Sequence, residues 1–128
     1  EHVIDSSFEL GDLKISPMKL PHGNMGSTGF LFEQNGIKKL AYLTDAKTVP
    51  EEVIEAVSRV ETVVLDALRP HEHWTHMSTG EAVEVASKIG AERTFLTHLT
   101  HYYDHDVDQA KLPKGVCLAW DGLKVDIE

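Results

Sequence analysis

At 128 residues the chain has the length of one domain, and a 41% hydrophobic content excludes wholesale disorder. Twelve Lys and Arg against 21 Asp and Glu leave a net charge of −9, which repels phosphate backbones and disfavours nonspecific nucleic-acid binding. The single cysteine, Cys117, excludes an intrachain disulfide and points to a reducing, cytoplasmic setting, while no apolar run nears membrane-spanning length and no signal-like segment opens the chain.

The chain begins at Glu1 rather than methionine, as a piece of a longer protein would. Residues 13–20 read as a strand with imperfect alternation, and residues 22–29 as a glycine-rich loop. That loop lacks the helix and lysine of a phosphate cradle. Runs 30–33 and 37–43 flank Asn35-Gly36, a strong hairpin signal. Thr48 is placed to cap a helix that has Pro50 near its first turn and an apolar stripe of Val53, Ile54 and Val57. A short apolar strand over 62–65 ends at Asp66. Ser78 and Glu81 form a capping box for a helix that runs through Ile89 and stops at Gly90. Residues 94–96 make another buried strand. Asp106 is expected to cap a single helical turn before Pro113, and residues 116–127 to form a closing hairpin about Asp121-Gly122. This order predicts an α/β domain over residues 1–128, one mixed sheet with helices on one face and nothing from the chain on the other.

Two strands share a pattern. Tyr42-Leu43-Thr44-Asp45 and Phe95-Leu96-Thr97-His98 each run from apolar residues through threonine to a potential ligand. Buried strands deliver such residues to fixed points at their carboxyl ends, where open α/β sheets place their sites. Histidine nitrogen and aspartate oxygen together suit zinc, iron or manganese. His22, between proline and glycine, is a third candidate. Asp45 or His98 alone is more readily a bracing or structural residue, and His22 equally a turn residue; the matched strand ends bring the metal reading level with the structural one. Asp66 ends a strand too and can orient a ligand histidine from outside.

Eight histidines is a high count. His71, His73 and His76 share one polar loop, but their spacing fits no standard three-histidine cage. His76 adjoins the capped helix and is the best positioned of the three for general-acid work near neutral pH. His101 follows His98 closely enough to reach a substrate or the surroundings of a ligand, and His105 reads as exposed loop.

Leu20-Pro21-His22, Tyr42-Leu43-Thr44-Asp45-Ala46, Val64-Leu65-Asp66, Thr75-His76, Leu96-Thr97-His98-Leu99-Thr100-His101, Leu112-Pro113-Lys114-Gly115 and Trp120-Asp121-Gly122-Leu123 occur in an order and spacing that resembles the C-terminal half of metallo-β-lactamase-fold hydrolases. The branch it looks most like is that of the phosphoribosyl cyclic phosphodiesterase of phosphonate breakdown. The resemblance implies half of an αββα sandwich. It also implies two divalent ions, Zn or Mn, with His22 and His98 as terminal ligands, Asp45 bridging, and His76 facing the substrate phosphate. His101 falls in the motif that continues from the ligand histidine. In such a parent enzyme a hydroxide between the ions would cleave a small, cyclic phosphodiester.

The family's His-x-His-x-Asp-His motif is absent from the chain. The N-terminal half that carries it, or another copy in a homodimer, would therefore have to cover the sheet and complete the site. The isolated chain, with a partial or empty site, is expected to be inactive. Two alternatives stand beside this reading: an RNA 3′-processing nuclease of the same superfamily, and a non-catalytic module that binds only metal or a partner.

Overall fold

The computed structural model describes residues 6–127. Its strands are β1 (Phe8–Leu10), β2 (Leu13–His22), β3 (Met25–Gln34), β4 (Ile37–Leu43), β5 (Thr62–Asp66), β6 (Arg93–Thr97) and β7 (Val116–Leu118), and its helices α1 (Glu51–Val57), α2 (Thr79–Ile89) and α3 (His105–Ala110). The strands make one sheet in sequence order. The first four pair antiparallel and the last three follow β4 in parallel. Parallel neighbours need a crossover, and α1, α2 and α3 lie in the three connections.

Period-two alternation decides which side chains meet the helices. Ala41 and Leu43 of β4, Val63 and Leu65 of β5, and Leu96 of β6 are fully buried and pair across the register. They join Val53, Ile54 and Val57 of α1 and Ala82, Ala86 and Ile89 of α2 in one core. The opposite face carries a row running Phe30, Tyr42, Val64, Phe95 and Cys117 through successive paired strands. None of these five is buried.

The α2 capping box forms as expected. Ser78 Oγ accepts from Glu81 N–H, Glu81 accepts from Ser78 N–H, and Gly90 ends the helix in the left-handed region. Asn35 and Gly36 both have positive φ, as a primed hairpin turn requires.

Four local expectations are corrected. Residues 25–29 are not loop: β3 begins at Met25 because the whole segment pairs with β2, His22 opposite Met25. Gly29 is needed there, since a Cβ would come within 2.7 Å of Leu43 Cδ2. Thr48 caps nothing; the α1 N-cap is Pro50, whose carbonyl accepts from Ile54 N–H. The α3 cap is Asp104, which accepts from Val107 N–H at 3.0 Å, rather than Asp106. Finally, Gly122 does turn the chain, but residues 123–127 form no strand. The free edge of β7 is instead covered by Gln109, whose side-chain amide bonds Val116 O and Leu118 N–H like a short extra strand.

Candidate metal centre

β2 runs in the same direction as β4, β5 and β6, because two antiparallel pairings separate it from β4. All four carboxyl ends therefore reach one edge of the sheet. His22 closes β2, Asp45 follows β4, Asp66 closes β5 and His98 follows β6. The loop before α2 brings His76 to the same place. Backbone hydrogen bonds stitch these segments together: Lys47 N–H to Pro21 O, Met77 N–H to Ala46 O, Leu68 N–H to Met77 O, Ala67 N–H to Thr97 O and Thr100 N–H to Leu68 O, all 2.9–3.1 Å. Tyr103 adds a pin. Its hydroxyl, with a pKa raised by burial, donates to Ala67 O at 2.7 Å and so accepts from Thr79 Oγ1.

Ligand-capable atoms of His22, Asp45 and His76 lie within 4.8 Å of one another. His98 Nδ1 is 3.3 Å from Asp45 Oδ1, and its ring stacks on His76 at 4.7 Å between centroids. The three residues singled out as ligands are thus brought together, and His76 stands among them rather than beside them. Asp66 lies behind. Its Oδ2 receives both His76 Nδ1, at 2.6 Å, and the Ala46 N–H, at 3.0 Å. Burial pushes the Asp66 carboxyl up, partly offset by His76 and by the Ala46 N–H. Its Oδ1 is buried without a hydrogen-bond partner among the described residues.

With the neutral His76 ring donating its Nδ1–H to Asp66 Oδ2, Nε2 faces the cluster as an acceptor, so the 3.2 Å contact between His22 Nε2 and His76 Nε2 places a proton on His22. Two imidazole nitrogens facing one another beside a carboxylate are a donor set that a divalent cation fits, through the same atoms once that proton leaves. Asp45 and His98 also have φ of 55° and 62°. Left-handed backbone costs a side-chain-bearing residue about 1 kcal/mol or more and gathers at functional sites. Sequence offers no signal for it beyond the residue types, since Asp and His tolerate this region better than most.

His101 is not drawn into the cluster. It is exposed and stacks on Tyr102 at 4.5 Å, which also meets the edge of His71 at 5.0 Å. His105 is exposed against Trp120. His73, which sequence reasoning passed over, sits 5.5 Å from the His76 ring. Spacing could not place it, because the loop geometry decides its direction.

Comparison with known proteins places this arrangement. The chain is 34% identical to a diphosphatase described as a new member of the PhnP family, with a TM-score of 0.89 over 98% of this chain and 48% of that one. It is 20% identical to the short form of human tRNase Z, with a TM-score of 0.74 over 96% and 48%. A curated relative, octanoyltransferase of Porphyromonas gingivalis, is 29% identical over 126 residues, 97% of this chain but 25% of that protein. The chain therefore spans about half the length of these solved structures and a quarter of that relative. A family model described as beta-lactamase superfamily domain matches residues 1–99. Sheet, strand-end site and family match agree: the chain belongs to the beta-lactamase superfamily, with the fold of its metal-dependent hydrolases.

Proposed function

We propose that this chain supplies the metal-binding and leaving-group side of a two-metal phosphodiesterase acting on a small diester. The observation that carries the reading is the meeting of His22, Asp45, His76 and His98, from four separate segments, at one sheet edge. His22, Asp45 and His98 would hold the ions. Bound zinc or manganese would supply Lewis acidity toward a phosphoryl oxygen and toward water. Asp66 keeps the His76 ring fixed through Nδ1 and leaves Nε2 turned toward the cluster, where a proton carried on it would pass to the departing ester oxygen.

These donors are few for two ions, and Asp45 and His98 are half-exposed. Further ligands would come from outside the chain, carried by a segment or second copy seated on the apolar row of the open sheet face. The net charge of −9 favours a small diester over RNA, which would need a basic docking surface.

The test uses the complete protein, with metal content and hydrolysis of cyclic and bis-aryl phosphodiesters as readouts. Asp45→Ala should lose metal and lower hydrolysis by more than the roughly 100-fold that loss of an outer partner can cost. Undiminished turnover with full metal content in that variant would refute the reading. The isolated chain should be inactive, and chelator-sensitive turnover by it would remove the need for outside ligands.

A further inference from the structure

The loop that carries His76 also holds Trp74, which is 72% exposed yet held in place. Its indole lies on the β2–β3 turn. A Cβ on Gly23, the residue after His22, would come within 3.2 Å of Trp74 Cζ3 and 2.8 Å of Thr75 Cγ2. Trp74 runs nearly parallel to the His73 ring, 21° between planes and 6.4 Å between centroids, and His73 is one further ring step, 5.5 Å, from His76. His73 is fixed as well. The Thr75 N–H donates to its Nδ1 at 3.2 Å, so the neutral ring carries its proton on Nε2. One flank of the candidate centre therefore offers an N–H donor and, beyond it, a large flat apolar face left open to water.

The net acidity of the chain works against long-range attraction of a phosphate ester outside the metal site, and stacking supplies affinity that does not depend on charge. We propose that His73 and Trp74 form a recognition shelf for a phosphate ester bearing a flat aromatic ring, aryl or nucleobase, with the ring on the indole and the His73 Nε2–H toward an ester oxygen. This inference rests on the phosphodiester reading of the adjacent site and names the substrate class for it.

Calorimetric titration of the complete protein with methyl phosphate, phenyl phosphate and AMP tests the shelf without requiring turnover. The two ring-bearing esters should bind more tightly than methyl phosphate. W74A should erase that preference by weakening them roughly 5- to 100-fold, and W74F should keep most of it. AMP well ahead of phenyl phosphate would identify a nucleoside as the ring, and equal binding would identify any aryl group. Equal affinity for all three ligands in the unmodified protein overturns the proposal, as does a folded W74A variant that keeps the ring preference. Ring preference without hydrolysis of any diester would remove the enzyme reading and leave the shelf. Hydrolysis without ring preference would do the reverse.

Discussion

Asp66 and His76 meet through Nδ1 and a carboxylate at 2.6 Å, with side chains 0% and 11% exposed. Asp45 and His98 make the same kind of contact at 3.3 Å, with side chains 49% and 42% exposed. Both carboxylates stand at the carboxyl ends of neighbouring parallel strands, and the two histidines stack on one another. The inner pair is nearly enclosed, and Asp66 also holds the backbone of the β4 loop through Ala46. The outer pair sits on strained backbone and faces solvent. The difference teaches that one edge can separate two tasks: the inner pair fixes geometry and the outer pair stays open to a ligand. Stability and function should accordingly part company between them.

The largest effect on stability should come from Asp66→Ala, which strands the Ala46 N–H and the His76 Nδ1 in an enclosed site. It is expected to cost about 3 kcal/mol in chemical denaturation. Asp66→Asn keeps an oxygen for both donors and should cost about 1 kcal/mol. If Asp45→Ala destabilised as much as Asp66→Ala, the division between the pairs would collapse.

A smaller effect of opposite sign sharpens the contrast. His98→Gly relieves a φ of 62° at an exposed position. It should stabilise the fold by about 0.5–1 kcal/mol in thermal melts while weakening metal uptake by the complete protein. Loss of stability in His98→Gly would mean that the outer pair is structural after all.

The smallest effect concerns the flank of the outer pair, where Glu81 holds Lys47 at 2.7 Å. Partial burial raises the Glu81 carboxyl, but Lys47 and the Ser78 donors outweigh it and leave the group below the usual 4.5. A depressed folded value means stabilisation that is present above pH 4.5 and lost as pH falls through the folded value. The Glu81→Gln variant should therefore be about 0.5 kcal/mol less stable than the parent at neutral pH, with the gap closing on acidification. A gap independent of pH would assign the effect to the cap geometry alone.

Local physics made much of this protein legible. Ser78, Glu81 and Gly90 mark α2 because each capping bond joins residues no more than four apart in the chain. Asn35-Gly36 marks a hairpin because few other pairs accept two positive φ values. Apolar runs ending in Asp45, Asp66 and His98 mark strand ends because one face of each strand packs under the helices and the other face is apolar too. Pairing was not legible: residues 25–29 join β3, and residues 123–127 stay outside the sheet, according to partners distant in the chain. The sequence by itself determined which residues can bind a cation and which strands end in them. Only tertiary structure decided that His22 faces His76, that Asp66 is enclosed while Asp45 is open, and that Trp74 lies on Gly23. Those relations depend on strand order and loop direction, set by packing across the whole sheet rather than by neighbours in sequence.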